Sequence, residues 1–266
     1  MVVSALNVSQ RNKQSLNSNA YEAWVNRFGT PAEAAQKLMY DPVKRVGKVI
    51  DYMGEISNKK IANLLGSNGN KAVALALLGA NVTVVDFSEE NEKYAKELAE
   101  AAGVPLQYVV SNVLQLPEEM RCGQFDIVYL EHGIVHYFLD LHALFQVAQE
   151  LLRPGGKLVL QDFHPVTTKL ISSRGTTANI RKHKVTGDYF DTTIEEKEIA
   201  FTKYLDQGEK RTLTVKLRKW TLGEIVTAIA NTGFQIKSLV ELPNQSSEDY
   251  DRGIPKTFII TAHRLS

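Results

Sequence analysis

The chain has 266 residues, 44% hydrophobic and 23% charged, and its 31 Lys and Arg nearly balance 30 Asp and Glu. A chain this long buries enough surface to need no covalent staples, and it fits one large domain or two small ones. The formal charge of +1 argues against nucleic acid as a partner, the single Cys122 excludes an intrachain disulfide, and no apolar run approaches the ~20 residues that cross a bilayer.

Residues 1–20, rich in Ser, Asn and Gln, read as a flexible N-terminus without the apolar core of a secretion signal, which points to the cytoplasm. Residues 21–56 read as a helical cap. Tyr21 to Arg27 forms a short helix, Pro31 opens a second that runs to Met39, and Val43 to Met53 is helical again after the break at Asp41-Pro42. From residue 57 strands and helices alternate. Ile61 to Leu65 is an apolar strand ending in Gly66-Ser67-Asn68-Gly69, Lys71 to Leu78 is a buried helix closed by Gly79, and Val82 to Val85 is a second strand ending at Asp86. Ser88 caps the next helix, with Glu89 and Glu90 where the helix dipole favours negative charge. Leu106 to Val110, Phe125 to Leu130 and Lys157 to Phe163 are further strands, and Asp140 caps a helix between the last two.

The stretch from about 166 to 220 reads as a substrate-cap insertion. It begins with a polar loop or lid carrying Arg174, Arg181, Lys182, His183 and Lys184. A hairpin follows, with Ile199 and Phe201 before the turn Asp206-Gln207-Gly208-Glu209 and Leu213, Val215 and Leu217 after it. Thr221 and Glu224 form a capping box for a helix ended by Gly233, and strands near Gln235–Glu241 and Lys256–Ala262 close the sheet. Near-continuously apolar strands alternating with helices predict an α/β fold. The expectation is a doubly wound, mostly parallel seven-stranded sheet, with ligands bound outside the carboxyl ends of the strands.

The segment Asn63-Leu64-Leu65-Gly66-Ser67-Asn68-Gly69-Asn70 joins a strand to a helix start, a geometry that brings backbone N–H groups to a ligand. Asp86, at the end of the next strand, is placed to accept hydrogen bonds from both ribose hydroxyls of an adenosine. A phosphate-cradling P-loop is excluded, because Gly66 and Gly69 are too close together and Lys71 is followed by Ala72. Lys71 reads as a solvated helix-start residue. A dinucleotide turn matches Ser67-Asn68-Gly69-Asn70-Lys71-Ala72 apart from Ser67, which keeps an NAD(P)-dependent oxidoreductase as the alternative enzyme.

Phe125-Asp126-Ile127-Val128, His132-Gly133-Ile134-Val135-His136-Tyr137 and Leu151-Leu152-Arg153-Pro154-Gly155-Gly156-Lys157-Leu158, with Gly233-Phe234 near the end, resemble the class I S-adenosylmethionine-dependent methyltransferases over about Tyr21 to Ala262. That family's first turn reads acidic-x-G-x-G-x-G. Here Asn63 replaces the acid, Leu65 and Ser67 replace the first two glycines, and Gly69 is kept. The resemblance implies S-adenosylmethionine as cofactor and a small molecule as methyl acceptor. It implies that Asn63, Gly66, Ser67, Asn68 and Gly69 form the cofactor's turn, that Asp86 holds the ribose and that Phe87 covers the adenine. Asn112 and Val113 would contact the adenine amino group and ring, and Leu130 and Glu131 would lie beside the methionine portion. Tyr21 and Trp24 resemble an N-terminal aromatic helix that lids the cofactor. A non-catalytic cofactor-binding protein is the alternative from another class, motivated by the eroded turn, and the assembly is expected to be a monomer or homodimer.

Methyl transfer from a sulfonium is an in-line displacement that depends on alignment, and a hydroxyl or thiol acceptor is helped by a general base. Three histidines follow strands at the expected ligand edge: His132 and His136 after the fourth and His164 after the fifth. His164 ranks first as base or substrate contact, His132 second, and His136 fits a structural place. Nothing in their spacing demands a metal.

Overall fold

The computed structural model describes residues 12, 15–172, 184–205, 213–243 and 253–265. Arg174, Arg181, Lys182, His183 and the turn at 206–209 lie outside the described residues. In chain order the strands are β1 (Lys60–Leu64), β2 (Asn81–Asp86), β3 (Gln107–Val110), β4 (Phe125–Glu131), β5 (Leu152–Phe163), β6 (Ile171–Ser172), β7 (Lys184–Val185), β8 (Ile194–Glu198), β9 (Thr214–Arg218), β10 (Phe234–Pro243) and β11 (Pro255–Arg264). Seven of them form one sheet in the order β10-β11-β5-β4-β1-β2-β3, in which β11 runs antiparallel to both neighbours and the other pairs are parallel. The expected doubly wound sheet is therefore the observed one.

The helices are α1 (Ala20–Phe28), α2 (Pro31–Tyr40), α3 (Pro42–Val46), α4 (Ile50–Met53), α5 (Asn70–Leu77), α6 (Glu89–Ala101), α7 (Leu141–Leu151) and α8 (Leu222–Ala230). Successive strand residues face opposite sides, and both sides are covered. Ile127 and Tyr129 of β4 enter the core shared with α5 and α6, whereas Val128 and Leu130 enter the core shared with α7 and α8. That double covering is why the strands read as unbroken apolar runs.

The chain leaves β1 outward through β2 and β3, then returns to β4 on the other side of β1. This reversal opens a crevice at the carboxyl ends of β1 and β4, the usual ligand position in such sheets.

The N-terminal helices pack on the outer helical layer, α1 and α2 against α6 and α3 against α5. Thr30 and Glu33 form a capping box for α2, and Asp41 caps α3. The helix expected over Val43 to Met53 is broken at Gly47, whose φ of +76° ends α3 before a short 3-10 turn leads into α4. Two residues of the segment expected to be flexible are anchored. Asn17 Oδ1 accepts from Ser88 Oγ and from the Glu90 N–H, and Asn12 makes two hydrogen bonds with the backbone of Lys216 on β9.

The inserted hairpin is present but shifted. Its first strand is Ile194–Glu198, paired with Thr214–Arg218. Ile199 and Phe201, expected on that strand, follow it and are buried, with the Phe201 ring 5.7 Å from that of Trp24. Ile199 N–H still donates to the Leu213 carbonyl at 3.0 Å, so the hairpin contact runs one residue past the strand before Phe201 turns in against α1. The expected polar loop after β5 begins with one π-helical turn, Val166–Leu170, and then the two-stranded β6–β7 pair.

His164 sits at the joint between β5, β10 and this turn. It is 2% exposed; its Nδ1 accepts the Val166 N–H at 3.1 Å, and its Nε2 lies 2.7 Å from Glu241 Oε1. The accepted N–H assigns the ring proton to Nε2, which donates to Glu241. With both nitrogens engaged, the residue ranked first as a base has no lone pair to offer and instead ties β5 to β10. His164→Ala is expected to lower unfolding free energy by about 1–3 kcal/mol, because a buried ring is removed and the part-buried Val166 N–H loses its acceptor. Urea unfolding measures this, and an unchanged midpoint would contradict the structural role.

Candidate active site

The site is built around Asp86, at the end of β2. Its carboxylate is buried, at 9% residue exposure, and collects donors from three places. Ser67 N–H donates to Oδ2 at 3.2 Å, while Ser88 N–H and Asn91 Nδ2 donate to Oδ1 at 3.0 and 3.3 Å. Burial raises the Asp86 pKa above the usual carboxylate range, and these hydrogen bonds oppose the shift. Asn91 is held in turn by the Trp24 indole N–H at 2.7 Å. Trp24 therefore acts on the site through Asn91 and Asp86.

Tyr21 lies elsewhere. Its hydroxyl donates to Glu97 at 2.5 Å and its ring meets Tyr94 edge-on at 5.6 Å, so it fastens α1 to α6. The Glu97 carboxylate pushes the Tyr21 pKa up to about 12, with burial adding to the effect. The structure does not bring Tyr21 to the cavity that the other candidates share.

The turn between β1 and α5 is tight although it lacks most of the glycines of the pattern it resembles. Leu65 and Ser67 adopt left-handed φ of +50° and +49°, each a backbone strain of order 1–3 kcal/mol. Tyr108 Oη donates to the Ser67 carbonyl at 2.8 Å and helps hold that strain. Gly69 is obligatory for two reasons: its φ is +71°, and an added Cβ would stand 2.6 Å from Ala95 Cβ on α6. A Cβ on Gly66 would stand 2.4 Å from Asn63 Oδ1. Asn63 is fully buried, and its Oδ1 has no hydrogen-bond partner among the described residues. Asn68 Oδ1 accepts from Asn70 N–H and Asn70 Nδ2, which starts α5.

Four of the turn's amides are spent within the protein. Leu65 N–H goes to Val85, Ser67 N–H to Asp86, Gly69 N–H to Gly66 and Asn70 N–H to Asn68. The expectation that this backbone cradles a ligand is met only in outline, because these four N–H groups already have acceptors.

One cavity gathers several expected residues. Leu65, Asp86, Phe87, Asn112 and Val113 line it together, with Tyr137 across from them. Asn112 also caps the short turn after β3, accepting the Leu114 N–H at 3.1 Å. Asn12 reaches the same cavity from the N-terminal segment. An acidic group, an aromatic ring, an amide and apolar walls match the polar and flat parts of an adenosine.

Leu130 does not reach this cavity; it is fully buried in the core with α7. Glu131, next to it, forms an ion pair with Lys71 at 2.9 Å in the β1–β4 crevice, with the two side chains only 18% and 17% exposed. Lys71 Nζ also lies 3.2 Å from Tyr129 Oη. Lys71 is thus not the solvated residue expected. The reach from α5 across to β4 exists only in the fold, and no local signal announces it.

His132, just past β4, keeps an exposed side. Its ring lies 5.2 Å from that of Phe163, itself 37% exposed, and meets no hydrogen-bond partner among the described residues. Crowding by the protein, with the Lys71 ammonium nearby, lowers its pKa to about 4. The ring is neutral at neutral pH and has a lone pair to offer.

The loop carrying His132 is held by Asp162, fully buried at the end of β5. Asp162 accepts the N–H groups of Gly133, Ile134 and Val135 at 2.5, 3.2 and 3.3 Å. Burial raises the Asp162 pKa, against the opposing effects of His136 and the backbone donors. Sequence reasoning passed over Asp162, whose only signal was its place at the end of an apolar strand. His136 Nδ1 lies 3.4 Å from the Arg218 carbonyl, consistent with a structural place.

Residues 65–160 match the methyltransferase domain family. The chain is 28% identical over 160 residues to the ubiquinone biosynthesis O-methyltransferase of Xanthomonas euvesicatoria pv. vesicatoria, a match covering 56% of this chain and 64% of that relative's length. Its fold resembles an S-adenosylmethionine-dependent methyltransferase from Mesorhizobium loti, with TM-score 0.60 and 22% identity over 81% of this chain and 95% of that one. It also resembles the magnesium protoporphyrin IX methyltransferase of Synechocystis PCC 6803 with bound S-adenosylhomocysteine, with TM-score 0.57 and 15% identity over 95% of this chain and 97% of that one. The matched domain spans residues 65–160, and the sheet order and fold described above are those of the methyltransferase structures to which the chain is similar.

Proposed function

We propose that this protein transfers a methyl group from S-adenosylmethionine to a hydroxyl of a small molecule, with His132 as general base. The observation that carries this reading is the single cavity lined by Asp86, Phe87, Asn112 and Val113 at the carboxyl edge of the sheet. Asp86 would bind the ribose hydroxyls, Phe87 and Val113 the adenine faces, and Asn112 the adenine's polar edge. When bound, the cofactor supplies an electrophilic methyl group on a sulfonium.

The protein's own task is to align the acceptor, exclude water and take one proton. His132 suits the last task, being neutral, free to accept and beside an exposed aromatic ring, Phe163, on which a flat acceptor can stack. The Xanthomonas relative is named for O-methylation, which supports a hydroxyl acceptor. No observation in the cavity favours NAD(P) or a purely binding role.

Two results are expected. Asp86→Asn weakens S-adenosylhomocysteine binding by more than about tenfold in calorimetry, because a charged acceptor for two hydroxyls is lost. In the wild type, affinity falls on acidification at a pH above the ordinary aspartate range. The raised pKa means the carboxyl is protonated earlier than an exposed one, and only the ionised form accepts from both hydroxyls. Affinity independent of both residue and pH would contradict the ribose assignment.

His132→Asn is expected to lower kcat by about 10²–10⁴ on a hydroxyl acceptor found by a metabolite-panel methylation assay, with cofactor affinity unchanged. With the cofactor held saturating, the wild-type kcat/KM for the acceptor should fall toward pH 4, the protonation range of His132. A full-rate variant would remove His132 from the mechanism.

A further inference from the structure

The adenosine cavity leaves open what reads the other end of the cofactor. With Asp86 on the ribose, a ligand running along the carboxyl edge passes the Leu65–Gly69 turn and enters the crevice at β1 and β4. The amides of Leu65, Ser67, Gly69 and Asn70 are already spent, and Asn63, at the family's acidic position, is neutral. Those four N–H groups are therefore not available to a charged tail. What stands in the crevice is the Lys71–Glu131 ion pair, 2.9 Å apart and mostly shielded from water.

We propose that Lys71 and Glu131 form a clamp that reads a zwitterion: on binding they part from one another, Lys71 taking the α-carboxylate of the cofactor's amino-acid tail and Glu131 its ammonium. This rests on the cofactor reading above and extends it to two side chains. An amino-acid end carries the same two charges as the pair itself. Exchanging partners therefore leaves four charges in alternation and none unpaired. A tail with one charge, or none, would leave a shielded Lys71 or Glu131 with a poorer partner, and an unpaired shielded charge is costly. A diphosphate would meet the Glu131 carboxylate with like charge, so the same clamp disfavours dinucleotides. The departure of the first turn from the family pattern then has a physical counterpart: the acid lost at Asn63 is supplied from β4, and Lys71 balances it while the crevice holds no ligand.

The test uses two probes on the full chain. S-adenosylhomocysteine carries the charged tail, and 5′-methylthioadenosine shares its adenosine and thioether but lacks the tail. Lys71→Met and Glu131→Gln should each weaken S-adenosylhomocysteine binding by about tenfold or more while leaving 5′-methylthioadenosine within about twofold of wild type. Lys71→Arg should keep most of the tail affinity, and the double Lys71→Met/Glu131→Gln variant should bind 5′-methylthioadenosine normally, which shows that the pocket is still folded. Equal weakening of both probes would reduce the pair to a structural tie, and unchanged S-adenosylhomocysteine affinity would place the tail elsewhere; either overturns the clamp. Failure of wild type to bind either probe would overturn the cofactor reading itself, a distinct result.

Discussion

A buried carboxylate held by three donors from two separate segments is the constraint on which the site depends. Asp86 would be costly to bury alone, and its stability as an anion rests on donors from the β1–α5 turn, the start of α6 and Asn91. Each donor therefore has its position fixed by the same charge. The turn is drawn toward β2 by Ser67, the cap of α6 is set by Ser88, and Trp24 of α1 is locked to Asn91. The helical cap, the strained turn and the strand end become one unit, and the cavity beside them is largely formed before any ligand arrives.

A second buried carboxylate plays the matching part on the other side of the crevice. Asp162 gathers consecutive backbone N–H groups after β4 and so fixes the loop that presents His132. The edge of the sheet is thereby divided. On the function proposed above, adenosine recognition would fall to the ends of β2 and β3 and proton acceptance to His132 beside Phe163, while the paired charges of Lys71 and Glu131 lie at the switch point between β1 and β4. This division follows from strand order: a chain that folds outward and then returns across its first strand must leave a crevice at that place.

The sheet and half of the cavity were legible in the sequence because both are written locally. Unbroken apolar runs mark strands covered on both faces, Asp86 is found at a strand end, and Phe87, Asn112 and Val113 follow from the family resemblance carried over position by position. What local reading misses are contacts between distant segments. Lys71 looks like a helix-start residue until α5 is set against β4. Asp162 looks like one more strand residue until the β4 loop folds over it. His164 looks available until Glu241 of β10 and the turn at Val166 take both nitrogens. Tyr21 and Trp24 read alike as aromatic lid residues, yet one is taken by Glu97 and the other by Asn91. The first turn misleads in another way. Leu65 and Ser67 hold the left-handed conformation that glycine adopts freely, so the turn forms without the glycines by which it would be recognised.

The most direct measurement is a crystal structure of the full chain with S-adenosylhomocysteine. The account predicts both ribose hydroxyls on Asp86, the adenine between Phe87 and Val113, and the amino-acid end in the crevice between β1 and β4. Density for the ligand in another part of the molecule, or an adenosine turned away from residue 86, would contradict it.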